Sequence, residues 1–161
     1  MIYLDSCVLI YLVQRDPVLA APIAQAMYAR PDDLYAISPL VEMECLVGAF
    51  KQNSAELEAA FRAVMRSCLS LAVPREAFHD AARLRAQYNL KTPDALHLAI
   101  ARRGRCTALW TNDDRLSQAA PGYTVNVRSF PPATQDDEAA EGTTHRSNAS
   151  SVTPPWAIMS A

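Results

Sequence analysis

Met1-Ile-Tyr-Leu-Asp-Ser-Cys-Val-Leu-Ile-Tyr-Leu12 is the stretch on which the fold turns. Residues 1 to 4 are an apolar, strand-prone run, Asp5 interrupts it, and Ser6 is a residue type that caps a helix, here one reaching Leu12. A strand therefore feeds a helix across one carboxylate. The longest unbroken apolar run, Cys7 to Val13, is far short of the roughly 20 residues that span a bilayer. With no basic leader ahead of the first strand, the expectation is a cytoplasmic protein without membrane association.

The same pattern repeats outward. Asp16-Pro17 predicts a helix to about Arg30, with Pro22 as a point of delay or kinking, and Pro31-Asp-Asp33 a turn. Leu34 to Ile37 reads as a strand, Ser38-Pro39 starts a helix to about Gln52, and Ser54 caps another to about Cys68. Leu69 to Val73 is a third strand, followed by helices that begin at Pro74 and at Thr92-Pro93 and run through Tyr88 and Arg103. Thr107 to Trp110, a short helix over Asp113 to Ala119, and a strand over Tyr123 to Val127 complete the series. Such alternation predicts an α/β fold, a three-layer α/β/α sandwich around a mainly parallel five-stranded sheet.

Composition sets the bounds. A chain of 161 residues, half of them hydrophobic, suits one domain whose core needs no disulfide or structural metal. Cys7, Cys45, Cys68 and Cys106 form no C-x-x-C and read as reduced, packed thiols. After Phe130 the sequence turns to Pro, Ser, Thr, Asp and Glu, so residues 1–130 are expected to be the domain and 131–161 a disordered tail. That tail carries Asp136, Asp137, Glu138 and Glu141 against Arg146, which leaves 13 acidic and 14 basic residues in the body. Near-neutral charge neither demands nor forbids a polyanionic partner.

In a parallel sheet, ligands bind beyond the carboxyl ends of the strands, so acids there carry functional weight. Asp5 ends the first strand, Asp113 and Asp114 follow the fourth, and Asp94 sits in the first turn of a helix. Each has an ordinary structural role as a cap or a first-turn charge. Glu44 differs, because it lies inside the apolar helix sequence MECLVGAF, where a carboxylate needs a partner. Glu42 is comparably placed, and periodicity does not choose between the two. Four carboxylates converging to about 5 Å would repel by roughly 3 kcal/mol per pair at an effective dielectric near 20. A divalent cation offsets that. Oxygen ligands favour Mg²⁺ or Mn²⁺ over zinc, and the chemistry such a site suits is phosphodiester hydrolysis. His79, His97 and His145 form no metal motif of their own, although His97, one turn after Asp94, is placed to border the acids.

Together, LDSCVLIYL, ISPLVEMECLVG, LKTPDALHLAIA and LWTNDDRL resemble the four acidic motifs of the PIN domain, in that family's order, across about residues 1 to 130. The resemblance is nearest to VapC-type ribonuclease toxins of bacterial toxin–antitoxin systems. It implies a PIN-like fold and Asp5, Glu44, Asp94 and Asp113 as catalytic, Mg²⁺-holding acids, with Glu44 chosen by its spacing to Gly48. Ser6, Thr111 and Asn112 take supporting places in those motifs. Cys7 departs from the usual small polar residue, and Asp114 competes with Asp113 for the fourth position. The implied activity is a metal-dependent endoribonuclease, the implied partners an RNA substrate, a cognate VapB-like antitoxin and a second copy of the chain. Arg102, Arg103, Arg105 and Arg115, close in sequence to the third and fourth acids, are candidate phosphate contacts, and a solvated helix end explains them equally well. Other readings are a PIN nuclease of RNA processing and a silent interaction module. An aspartyl-phosphate enzyme or a receiver domain would want a second acid near the first strand, where Cys7 stands.

Overall fold

A computed structural model describes residues 1–133. Nearly all of the expected tail, 134–161, lies outside the described residues. The elements are β1 (Ile2–Leu4), α1 (Ser6–Val13), α2 (Ala20–Tyr28), β2 (Tyr35–Ile37), α3 (Pro39–Lys51), α4 (Ala55–Met65), β3 (Leu69–Ser70), α5 (Arg75–Tyr88), α6 (Thr92–Arg103), β4 (Ala108–Thr111), α7 (Asp114–Ala119) and β5 (Thr124–Asn126). A 3-10 turn, Val127–Ser129, follows.

The strands form one sheet in the order β3-β2-β1-β4-β5, and every pairing is parallel. From β1 the chain steps outward through β2 to β3, then crosses back to β4 and on to β5. Right-handed crossovers place α1 to α4 on one face and α5 to α7 on the other. The packing agrees, since α1 lies against α2, α3 and α4, while α5 packs on α6 and α6 on α7.

Burial on both faces explains why the strands are short and apolar. All three residues of β1 and all three of β2 are buried. Tyr3, Leu4, Leu9, Ile37, Leu98, Ile100, Leu109 and Trp110 are among the largest side chains sealed in the core. Trp110 meets the edge of Tyr35 at 5.8 Å between ring centroids and that of Phe130 at 4.9 Å, so the folded body extends to Phe130.

Three local expectations are revised. The helix anticipated from Pro17 begins at Ala20, because the Asp16 carboxylate accepts from the Val18 and Leu19 amides (2.9 and 2.8 Å) and closes a turn first. Pro22 then falls within the first turn of α2, where its missing N–H has no partner to lose. Ser6 is the first residue of α1 rather than its cap, and Asp5 takes the cap position without a side-chain capping bond. The third strand stops at Ser70, since its neighbour β2 ends at Ile37, whose carbonyl takes the last bond from the Leu71 amide at 2.8 Å.

All four cysteines are free thiols. Burial pushes Cys45 up to about 12 and Cys68 up to about 11, which keeps both neutral at physiological pH. Among the described residues no helix is long and apolar enough to cross a membrane.

The parallel sheet brings every strand's carboxyl end to one edge. Its neighbours β1 and β4 send their chains to opposite faces there, which opens a crevice between them. Asp5 follows β1 and Thr111 ends β4.

Because Trp110 ties β4 to β2 and to the end of the domain, Trp110→Ala is expected to lower unfolding free energy by about 3–5 kcal/mol in urea denaturation. A loss below about 1 kcal/mol would mean that this packing contributes little.

Candidate metal centre

Asp5, Glu44 and His97 present ligand-type atoms that all lie within 4.8 Å of one another. They come from the β1–α1 junction, the middle of α3 and the first half of α6. Asp5 is held from two sides: Thr111 Oγ1 donates to its Oδ2 at 2.6 Å and Ser6 Oγ to its Oδ1 at 3.3 Å. The same Thr111 hydroxyl accepts from the Asp113 amide at 3.1 Å, so one side chain fixes the ends of β1 and β4 together.

His97, 2% exposed, places Nε2 at 3.0 Å from Glu44 Oε2 and 3.5 Å from Asp5 Oδ1. Its Nδ1 is 3.1 Å from the Tyr3 hydroxyl, which is itself 2.7 Å from Ser38 Oγ. Burial alone would discharge the ring. The hydrogen bond to Glu44 and the charges of Asp5, Glu44 and Asp94 outweigh it and raise the imidazole pKa above its ordinary value. Glu44 mirrors this: burial would raise its pKa, but the His97 hydrogen bond and charge, helped by Ser6, leave it lowered. When both ring nitrogens carry protons, Nδ1–H donates to the Tyr3 hydroxyl, which then donates to Ser38. Burial pushes the Tyr3 pKa strongly upward, so its hydroxyl remains a neutral relay.

Asp94 is the least satisfied acid. Desolvation, then the charges of Asp113 and Asp5, raise its pKa, against weaker help from Lys91 and His97. Its Oδ2 is buried with no hydrogen-bond partner. Asp113 caps α7, its Oδ1 accepting from the Arg115 and Leu116 amides at 2.7 and 2.9 Å. Asp94 and Asp113 are not in the ligand-distance group of Asp5, Glu44 and His97, but the charges of Asp113 and Asp5 reach Asp94, and a buried oxygen without a partner beside other acids suits a cation. The donor set fits a divalent ion. While His97 holds its proton, Nε2 has no lone pair to give, and the remaining donors are oxygens.

The other anticipated residues divide. Asn112 Nδ2 donates to the Tyr11 hydroxyl, tying the loop after β4 to α1. Glu42 faces away from the cluster, toward Ser70, whose hydroxyl lies 3.4 Å from it. Asp114, 66% exposed, pairs with Arg128 at 2.8 Å and accepts from Asn126 at 2.7 Å. Arg102, Arg103 and Arg105, candidate phosphate contacts with a solvated helix end as the alternative, are placed apart from the acids. They lie at the end of α6 opposite to Asp94, along a helix that rises about 1.5 Å per residue, and so stand away from the acids. Arg103 bonds Asp80 at 2.6 Å, and Arg102 stacks over Tyr123 at 5.7 Å. Only Arg115 remains beside the cluster, where it lines a cavity with Lys91, Asn112, Asp113, Asp114 and Arg128. His97 is more central than its expected border position, and Lys91 and Arg128 were not anticipated. The signal for His97 was its three-residue spacing from Asp94 on one helix. Lys91 and Arg128 carried none.

The sequence profile described as "PIN domain" matches residues 2–121. No curated protein matches the chain. Among solved structures, a toxin–antitoxin complex from Klebsiella pneumoniae contains a chain 28% identical, with a TM-score of 0.65 over 79% of this chain and 98% of that one. VapBC2 from Rickettsia felis, bound to a DNA fragment from its promoter, has a chain 16% identical with a TM-score of 0.67, covering 78% and 98%. PAE2754 from Pyrobaculum aerophilum is 19% identical with a TM-score of 0.58, covering 78% and 90%. The last two likenesses concern the fold.

Two outcomes are expected. In chelator, His97, with its raised folded pKa, contributes stability that is complete below its unfolded value near 6.5 and lost as pH rises through the folded value. Asp94, also raised, loses stability over a lower window above 3.8, whereas lowered Glu44 loses it only as pH falls below 4.5. Thermal midpoints measured from about pH 6 to about pH 9 should therefore decline, and His97→Gln should flatten the decline. Separately, Glu44→Gln should weaken Mn²⁺ binding by calorimetry about tenfold or more, and Glu42→Gln should not. Equal effects would place Glu42 in the centre.

Proposed function

The chain belongs to the PIN-domain family, and from that premise we propose that it is a metal-dependent endoribonuclease that hydrolyses RNA phosphodiester bonds as the toxin of a type II toxin–antitoxin system. The observation that carries the reading is the buried, unpartnered Asp94 oxygen, which feels the charges of Asp113 and Asp5. Acids arranged to repel one another are kept where a divalent ion is part of the working protein. Support for the toxin role comes from the chain 28% identical in a toxin–antitoxin complex. The implied partners are RNA, a cognate VapB-like antitoxin and a second copy of the chain, acting in the cytoplasm.

Asp5, Glu44, Asp94 and Asp113 would hold Mg²⁺, with Mn²⁺ as a substitute. The ion, when bound, would supply positive charge that offsets these acids and polarises the phosphodiester. The chain's own residues do the positioning. Thr111 and Ser6 fix the rotamer of Asp5, and the α7 amides fix Asp113. Asp94, whose buried oxygen has no protein partner, has that oxygen free for the ion. His97 stands between Glu44 and Asp5, and when protonated it limits their repulsion before substrate arrives.

That contact also favours a second reading, a silent interaction module in which His97 is the permanent counter-ion of Asp5 and Glu44. The experiment separating the two is cleavage of a mixed RNA pool by purified protein. Cutting is expected with Mg²⁺ or Mn²⁺, to stop in chelator, and to fall about a hundredfold or more in Asp94→Asn. Cleavage that persists in chelator or in Asp94→Asn would overturn the nuclease reading, and absence of cleavage with absence of metal binding would establish the silent module.

A further inference from the structure

Tyrosine and tryptophan aside, the polar side chains sealed in the core among the described residues are Ser38, His97 and Thr111. Two of them meet the acids directly: Thr111 holds Asp5, and His97 contacts Glu44 and Asp5. Ser38 makes no hydrogen bond to an acid. Its hydroxyl lies 2.7 Å from that of Tyr3, which is in turn 3.1 Å from His97 Nδ1, the ring nitrogen that does not face Glu44.

Ser38 also forgoes its local role. It stands at the N-cap of α3 with extended backbone (φ -141, ψ 168), the residue type and conformation that accept a hydrogen bond from an amide of the first turn. No such bond forms there, whereas Ser54 accepts from the Leu57 amide and Asp113 from those of Arg115 and Leu116. The capping hydroxyl of α3 is turned toward Tyr3 instead. A cap diverted at the head of the helix that carries Glu44 points to a role beyond helix stability.

The geometry supplies that role. A half turn of an imidazole about its bond to Cβ exchanges each ring nitrogen for a carbon, so a buried histidine has two orientations of nearly the same shape. In the one present, Nδ1 meets Tyr3 and Nε2 meets Glu44. In the other, C–H groups would face both. Glu44, 23% exposed on a long side chain, is held to the group by its 3.0 Å bond to His97 Nε2, so the orientation of the ring decides where the Glu44 oxygen stands. The Tyr3 ring lies tilted against His97 with centroids 5.9 Å apart, but such packing does not distinguish the two orientations. The Tyr3 hydroxyl does. Its place is set by the sheet, since Tyr3 is the middle residue of β1, in register with Ala36 and Leu109.

We infer that Tyr3 and Ser38 are positioning residues of the metal centre: the Ser38 hydroxyl aims that of Tyr3, which locks His97 with Nε2 toward Glu44 and Asp5 and so keeps Glu44 in the ligand group. Both act through the imidazole. The inference rests on the reading of these acids as a divalent-ion site and adds the residues that set its geometry.

Calorimetry of Mn²⁺ binding to the full chain tests it, together with nitrogen NMR of the His97 ring in chelator. Tyr3→Phe keeps the aromatic packing and deletes only the hydroxyl, and it is expected to weaken Mn²⁺ binding about tenfold, the lower end of what loss of a site histidine's partner does. Ser38→Ala should weaken binding by less. The double variant Tyr3→Phe/Ser38→Ala should bind no more weakly than Tyr3→Phe alone, because Ser38 acts through Tyr3. In chelator, the His97 Nδ1 and Nε2 resonances should move in both single variants. Tyr35→Phe is the control, since it removes another buried hydroxyl, the one that donates to the Met27 carbonyl at 3.4 Å, and should leave Mn²⁺ affinity and the His97 resonances in place. Unchanged Mn²⁺ affinity in Tyr3→Phe, additive losses in the double variant, an equal loss in Tyr35→Phe, or no Mn²⁺ binding at all overturns the inference. Cleavage of the mixed RNA pool, read in parallel, keeps the two conclusions apart. This Mn²⁺-binding pattern without cleavage sinks the nuclease reading alone, and metal-dependent cleavage with Mn²⁺ affinity unmoved by Tyr3→Phe sinks the positioning inference alone.

Discussion

Repulsion between carboxylates is the constraint around which this molecule is arranged. Asp5, Glu44, Asp94 and Asp113 come from four separate segments, and each would be more comfortable in water. What brings them together is packing. Tyr3, Leu4, Leu109 and Trp110 bury β1 against β4, and Leu98 and Ile100 bury α6 on the sheet. The acids follow their elements to the carboxyl edge. The protein offsets part of the penalty with one buried imidazole, one threonine hydroxyl and the backbone amides of α7. The uncompensated part sits on Asp94, whose raised pKa is the local record of the crowding.

The connectivity was legible in the sequence because its punctuation is unusually literal. Pro39 and Pro93 stand in the first turns of α3 and α6, and Ser54 caps α4 through the Leu57 amide. The full parallelism and the strand order were not, because parallel pairing depends on crossover direction rather than on any local residue pattern. Where the reading slipped, at Pro17 and after Ser70, a side-chain turn or a neighbour's length decided the boundary.

The candidate site was legible only in part. Acids at strand ends announce themselves, since a charge after an apolar run is conspicuous. Glu44 and Glu42 could not be separated by periodicity, because α3 is nearly apolar all round, and it is the neighbour on α6 that distinguishes them. Arg102, Arg103 and Arg105 show how nearness in sequence to Asp94 becomes a helix length of separation in space. Lys91 and Arg128 reach the site from α6's cap and from beyond β5, places that no motif links.

The bond from Thr111 to Asp5 joins residues 106 positions apart. During synthesis the first strand leaves the ribosome long before its central partner β4, and until then its carboxylate has neither Thr111 nor the Asp113 amide network beside it. A nascent or prematurely terminated polypeptide therefore carries every early acid and no assembled cup. For a protein proposed to cut RNA, late closure of the sheet ties assembly of the acidic cup to synthesis of β4 and the residues after it.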